Sequence, residues 1–253
     1  KNFYFYSENF FYKNYYYNFF KEILKEHKQT YILTSDIKEY ENIIQETKNI
    51  FYIGDGFIKV LILNLINARY FFTTMPGIGS NIKRSKFCDF YVYFFHALAS
   101  SHIIYKNGSF DKFDIILTNG KYQNKELEIN FKNKNIINTT VHDVGYFFLD
   151  YLLKKKINSH NNQILFAPSW NYDEDNLFNN FGKKIANTLI NNDYKLIFRP
   201  HPEIIKRSKN LYNIFVKNFK DFKNFYLDLD PSNFKSMEKS KILITDNSSI
   251  AME

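Results

Sequence analysis

Cysteine is nearly absent from this chain of 253 residues, and glycine and proline are sparse, with one Cys, eight Gly and five Pro. A lone thiol, Cys88, excludes an internal disulfide framework and a Cys-based zinc site and is compatible with a reducing cytoplasm. So few glycines and prolines beside a hydrophobic fraction of 45% exclude a disordered chain. No apolar run reaches the roughly 18 residues that a bilayer span requires, because Val60 to Ile66 is broken by Asn67 and Arg69. A signal-peptide pattern is missing as well. The chain starts at Lys1 without Met and stops where a helix should begin after Ser249, so it is expected to belong to a longer protein.

What is plentiful is aromatic and basic. The 28 Phe and 20 Tyr lie in a background rich in Lys, Asn and Ile, for which biased codon usage is a sufficient account, so base stacking is not read from them. A net charge of +8 and a pI near 9.2 admit an anionic partner: nucleic acid, acidic lipid or a phosphate-bearing substrate. The lysines are scattered, as on a solvated basic surface.

Periodicity gives short apolar runs alternating with helical patterns, which argues for parallel sheets and two domains. Expected strands include 2–6, 30–33, 51–53, 70–73, 90–95, 114–118, 140–144, 164–167, 194–198, 224–229 and 241–245. Expected helices are 15–26, 57–67, 121–130, 146–157 and 177–191. The polar stretch Asn158-Ser159-His160-Asn161-Asn162 is the best linker, dividing residues 1–157 from 163–253. Gly54-Asp55-Gly56 reads as a tight turn, since the rest of a phosphate-binding loop is missing. Asp228, Asp230 and Ser232 read as a capped turn and supply no full metal-ligand set.

Two strand-to-loop junctions carry complementary chemistry. Phe198-Arg199-Pro200-His201-Pro202 offers a permanent cation with a planar fork, and a histidine held between prolines. Thr245-Asp246-Asn247-Ser248-Ser249 reads as a helix start whose hydroxyls and free amides favour an anion. Each also has an ordinary reading, a strand-end turn with a solvated Arg and a plain helix cap. In the first half, Phe90 to Phe95 runs directly into His96, with His102 six residues later. A histidine at a sheet's carboxyl edge suits proton acceptance near neutral pH, and also suits a capped structural role.

Taken in this order, Pro200-His201-Pro202 and Asp246-Asn247-Ser248-Ser249 followed by Glu253 resemble the carboxyl-terminal half of the CDP-glycerol glycerophosphotransferase family, the teichoic acid polymerases and primases. Pro168-Ser169-Trp170 resembles that family's Ala-Pro-Thr-Trp loop. The stretch Ile82 to Asp111 looks like a less-studied branch found with bacterial surface polysaccharide genes, and it has His96-Ala97 where better-known members have His-Gly. The resemblance implies an α/β fold of two Rossmann-like domains facing across a cleft, the glycosyltransferase B arrangement, with the carboxyl-terminal domain truncated. It implies transfer of glycerol phosphate, or a similar phosphoalcohol, from a CDP-activated donor to a hydroxyl of a cell-surface glycan or lipid-linked acceptor, with release of CMP.

In that scheme His96 is the general base and His201 the second catalytic residue. Arg199, Asp246, Ser248, Ser249, Glu253 and Trp170 bind the donor. Neither metal nor cofactor is expected, nor nucleic acid. The expected setting is cytoplasmic, with peripheral contact at the anionic inner face of the membrane. A glycosyltransferase of the same fold using a sugar nucleotide is the alternative, and a binding or scaffolding domain without turnover a third reading.

Overall fold

The computed structural model describes residues 1–79, 82–98, 100–153, 163–170, 175–230 and 232–253. The expected linker Asn158 to Asn162 lies outside the described residues. By internal contacts the chain divides into two compact units, Lys1–Tyr151 and Leu152–Glu253.

The first unit is built on seven parallel strands: β1 (Asn2–Ser7), β2 (Thr30–Thr34), β3 (Ile50–Tyr52), β4 (Ala68–Thr73), β5 (Cys88–Phe94), β6 (Ile115–Thr118) and β7 (Thr140–Asp143). Their order across the sheet is β3-β2-β1-β4-β5-β6-β7. Connections run through α1 (Lys13–Glu26), α2 (Ile37–Ile43), α3 (Phe57–Leu65), α4 (Ser101–Ile104), α5 (Lys121–Asn133) and α6 (Phe147–Leu153). The strand β1 is central, with Phe5 opposite Ile32 on one side and Phe72 on the other. The chain therefore winds outward in both directions, and the reversal falls between β1 and β4.

Side chains alternate between two buried faces, as a parallel sheet covered on both sides demands. On β1, Phe5 enters one core and Tyr6 the other; on β4, Phe72 and Phe71 do the same. On β5, Val92 and Phe94 join Phe5 while Tyr91 and Tyr93 join Tyr6. Phe5 stacks on Phe72 at 4.5 Å between ring centroids. Each such ring, fully buried, contributes roughly 2–3 kcal/mol. Phe and Tyr are thus the principal filling of these cores.

One buried carboxyl interrupts the apolar interior. Glu39 of α2 has no exposed surface. Its carboxylate accepts from Ser7 Oγ at 3.0 Å, Tyr16 Oη at 2.9 Å and Thr34 Oγ1, so the ends of β1 and β2 and the helix α1 are tied to α2. Burial pushes its pKa up to about 7, and the three hydroxyls hold the rise in check.

The second unit has four parallel strands, β8 (Gln163–Phe166), β9 (Lys195–Phe198), β10 (Phe225–Leu227) and β11 (Ser240–Ile244), in the order β10-β9-β8-β11. Its helices are α7 (Leu177–Asn191), α8 (Pro202–Arg207), α9 (Lys209–Phe219) and α10 (Phe234–Lys239). Phe166, Leu196 and Phe198 face a core closed by α7 and α9, whereas Leu165, Ala167 and Ile197 face a smaller cluster reached by Ile250. Along α7, Phe178, Gly182, Ala186 and Ile190 form the buried stripe at i, i+4 spacing. Gly182 is required there: a Cβ would sit 2.9 Å from Phe178 Cδ2.

Several elements depart from the sequence reading. The helices α2, α4, α8, α9 and α10 were not foreseen; Pro202, read only as restraining His201, stands in the first turn of α8, where its missing N–H is harmless. The helix expected to reach Asn67 ends at Leu65. No helix among the described residues is long and apolar enough to cross a membrane.

Candidate functional site

In an open parallel sheet, ligands bind beyond the carboxyl ends of the strands where the winding reverses. In the second unit that point lies between β8 and β11. The loops leaving these strands are Ala167 to Trp170 and Thr245 to Ser249, and they are laced together. Ala167 N donates to Ile244 O at 2.9 Å, and Thr245 Oγ1 donates to Ala167 O at 2.7 Å. Ser169 N donates to Asp246 Oδ1, and Leu177 N, the first amide of α7, donates to Asp246 Oδ2 at 3.1 Å.

Asp246 therefore holds three segments in register. The expectation of a helix capped here is corrected in form: the following element is a short 3-10 turn, Ser249–Ala251, with Ser248 in the capping position but making no side-chain cap bond. Asp246 instead spends both carboxylate oxygens on amides distant in sequence. Ser248 N closes a turn onto Asp246 O at 2.8 Å, and Ile250 is buried beneath. Ser248 and Ser249 are half-buried at the rim.

The neighbouring loop, after β9, holds Arg199 and His201. Arg199 Nη1 donates to Asp228 Oδ2 at 2.7 Å, and both side chains are 15% exposed. The guanidinium is thus committed to an ion pair that also receives Ser236 Oγ–H on the same carboxylate oxygen. Asp228 Oδ1 accepts from Asp230 N, and Asp230 Oδ1 from Ser232 N, each at 2.9 Å, the successive capped turns read from the sequence. Arg199 anchors this turn.

His201 caps α8, its Nδ1 accepting from Glu203 N at 3.2 Å. Two influences on its charge pull apart: desolvation pushes the imidazole down to about 4, while the residue is exposed to water, which favours the charged form. The hydrogen bond decides, because an accepting Nδ1 leaves the proton on Nε2 and the ring neutral. Trp170 packs on the core of this unit with the Arg207 guanidinium 5.0 Å above its ring, and Arg207 Nε reaches Glu203 at 2.6 Å. Glu253 accepts from Asn233 Nδ2 at the start of α10. The second unit thus brings Trp170, His201, Asp246, Ser248 and Ser249 to one rim, while Arg199 and Glu253 are engaged with the loops beside it.

In the first unit, β5 ends at Phe94, one residue short of the expected end, and His96 stands two residues beyond it, half-buried. Its ring meets the edges of Tyr12 and Tyr15 at 5.0 and 6.0 Å, and Tyr146 Oη donates to its carbonyl at 3.4 Å. Tyr12 belongs to the turn after β1, so the histidine stands beside the reversal of this sheet. The loop beyond it is clamped by α5 and the turn before it. Asn119 Nδ2 and Gln123 Nε2 donate to Ala97 O at 2.7 and 3.3 Å, and Tyr122 Oη donates to Leu98 O. Glu126 accepts from Ser101 N and Ser101 Oγ at 2.7 Å each, and from Ser100 Oγ. Burial works against the charge of Glu126, and these bonds outweigh it, holding the carboxyl below its usual range. None of these clamping residues was singled out in the sequence, since their bonds to the loop span 22 to 26 positions.

Residues 111–253, more than half of the chain, match the family described as CDP-Glycerol:Poly(glycerophosphate) glycerophosphotransferase. The chain belongs to this family. No curated protein matches it. Among solved structures, a wall teichoic acid polymerase, TagF, is similar at 13% identity and a TM-score of 0.59, covering 98% of this chain and 66% of that one. The chain therefore spans just under two thirds of that polymerase. A UDP-GlcNAc 2-epimerase from Methanocaldococcus jannaschii is 12% identical, with a TM-score of 0.51 and 97% and 79% covered. The corresponding enzyme of Rickettsia bellii is 11% identical, with a TM-score of 0.54 and 97% and 74% covered. At such identities the likeness is one of fold, the two-Rossmann-unit glycosyltransferase B type.

For a glycerophosphotransferase, the matched segment takes in α5 with its Glu126 clamp and the whole second unit, but not β5 or His96. The family assignment thus rests most heavily on the unit with the β8 and β11 loops.

Proposed function

We propose that this glycerophosphotransferase-family chain moves glycerol phosphate from CDP-glycerol, or a related CDP-activated alcohol, to a hydroxyl of a surface glycan or lipid-linked acceptor, releasing CMP. The observation that carries the reading is the position of Asp246, Ser248 and Ser249 at the winding reversal of the second unit, within the segment matched to the family. In this reading the neutral His201 donates Nε2–H to a diphosphate oxygen, and the hydroxyls of Ser248 and Ser249 donate beside it. Asp246 does not touch the donor; it holds the Trp170 and Ser248 loops at the spacing the diphosphate needs. Arg199 contributes by fixing the 228–232 turn, Trp170 by walling the site, and Glu253 by accepting from a ribose hydroxyl.

Phosphoryl transfer depends mainly on positioning and on stabilising the charge that grows on the leaving group, so fixed donors at a rim supply what the reaction requires. The acceptor hydroxyl loses its proton to a base from the loop after β5, where the resemblance places His96. A lipid-linked acceptor would draw the protein to an anionic inner membrane surface, which a net charge of +8 favours.

The test is release of CMP from CDP-glycerol by the purified protein with oligo(glycerol phosphate) as acceptor, beside release of UDP or GDP from sugar nucleotides. The reading expects CMP, and a loss of roughly 10²-fold or more in His201→Ala, within the range for a donor aimed at developing charge. UDP or GDP release without CMP would give the protein to sugar transfer, and unchanged turnover in His201→Ala would remove the donor site from this rim.

A further inference from the structure

The helix α3 of the first unit carries only two polar residues, Lys59 and Asn64, yet Leu63 alone of its side chains is fully buried. At about 3.6 residues per turn, Phe57, Ile58, Leu61 and Leu65 share one outward face. They are 79%, 67%, 46% and 56% exposed. A helix that is apolar all round is normally covered on every side, and an apolar face of this extent marks an interaction surface. Phe51 and Tyr52 of the edge strand β3 add two exposed rings beside it.

The core under this helix is open. A cavity of about 780 Å³ runs between α3 and the sheet, lined by Tyr4, Leu33, Phe51, Ile62, Leu65 and Ile66, and reaches Lys1 just before β1. A second cavity of about 500 Å³ shares Lys1 and is lined by Phe3, His27, Arg69 and Tyr70. The first is apolar and the second basic. On the other flank of the helix, Lys83 N donates to Asn64 Oδ1 at 3.1 Å, which sets Lys83 beside the exposed face. Lys1 and Lys59 are paired with Asp89 and Asp55, but Arg69 and Lys83 enter no ion pair among the described residues. An apolar face bordered by uncompensated cations is complementary to an anionic lipid surface. Acyl chains fill both the face and the cavity, whereas a rigid protein surface covers the one and leaves the other empty.

Resting for its purpose on the lipid-linked acceptor of the reading above, we propose that α3 and the cavities meeting at Lys1 form the face by which this protein lies on an anionic phospholipid bilayer. Phe57, Ile58, Leu61 and Leu65 enter the boundary between headgroups and acyl chains, while Arg69 and Lys83 pair with lipid phosphates. Burial of the apolar face supplies most of the affinity, and the cations select anionic over zwitterionic lipid.

The experiment is co-sedimentation of the chain with vesicles of phosphatidylcholine, with and without admixed phosphatidylglycerol. Neither donor nor acceptor is present, so the result stands apart from CMP release. Binding is expected to the anionic vesicles, weakened about 5-fold by each of Arg69→Gln and Lys83→Gln. Phe57→Ser combined with Ile58→Ser is expected to weaken it roughly 10-fold or more. Both side chains already face water, so that variant should keep its urea midpoint and its turnover of a soluble oligo(glycerol phosphate) acceptor. Ile129→Ser, which removes an exposed apolar side chain from α5 at the other end of the sheet, is expected to leave vesicle binding unchanged. No sedimentation with either vesicle, equal sedimentation with both, or a loss in Ile129→Ser as large as in the double variant would overturn the proposal. A dimer in analytical ultracentrifugation that the double variant dissolves would overturn it as well, giving the face to a second copy of the chain.

Discussion

Replacing Glu39 with Gln isolates a pH dependence whose sign follows from burial. The Glu39 carboxyl has no exposed surface and a pKa raised from 4.5 to about 7. A carboxyl whose folded pKa lies above its unfolded value is held more easily protonated in the native state. Its contribution is therefore fully present below pH 4.5 and is lost as pH rises through 7. The difference between those two values corresponds to about 3 kcal/mol, at 1.36 kcal/mol for each pKa unit. Gln cannot ionise, and the hydroxyls of Ser7, Tyr16 and Thr34 can each accept as well as donate, so the amide retains partners. Wild type and Glu39→Gln should thus diverge in stability by about 3 kcal/mol between pH 4.5 and pH 8, the variant gaining ground at the alkaline end. The only tryptophan, Trp170, reports the second unit, so the measurement is hydrogen exchange in β1 and β2 at several urea concentrations. Stability curves that run parallel across this pH range would refute the argument.

Two further substitutions test the second unit. Asp246→Ala strips the acceptor from Ser169 N and Leu177 N, and at about 1–2 kcal/mol for each half-buried amide it should destabilise the unit by roughly 2–4 kcal/mol, read as a lower urea midpoint in Trp170 fluorescence; a midpoint equal to wild type would mean that water satisfies both amides. Gly182→Ala should destabilise by about 1–3 kcal/mol in the same assay despite the better helix propensity of alanine, because the added carbon meets the buried Phe178 ring. A stabilised Gly182→Ala would show that the ring has room to move.

The strands were legible because their apolar runs are short, bounded and aromatic. The helix α7 was legible to both ends, since Asn176 caps it and its buried stripe repeats every four residues. Less visible were α8 and α9, because Pro200-His201-Pro202 reads as a strand-end turn until His201 is seen capping the helix that Pro202 opens. At the candidate site, sequence reasoning located the loops of Asp246, His201 and His96 but not what their side chains bond to. Asp246 looks like a local cap and instead bridges to Ser169 and Leu177. Arg199 looks like a phosphate ligand and is instead paired with Asp228. Long-range partners of this kind leave no local pattern, and the bond from Ser100 to Glu126 is another case.

The strand order of the second unit also bears on how that unit comes into being. Its opening strand, β8, sits inside the sheet and waits for two neighbours, and one of them, β11, is separated from it in sequence by β9 and β10. While β11 is undocked, β8 keeps a bare hydrogen-bonding edge, Ala167 lacks its partner Ile244, and the crevice beside Asp246 does not exist. Docking of β11 and formation of the crevice beside Asp246 are then a single event, so a ligand that occupies the crevice would hold β11 docked.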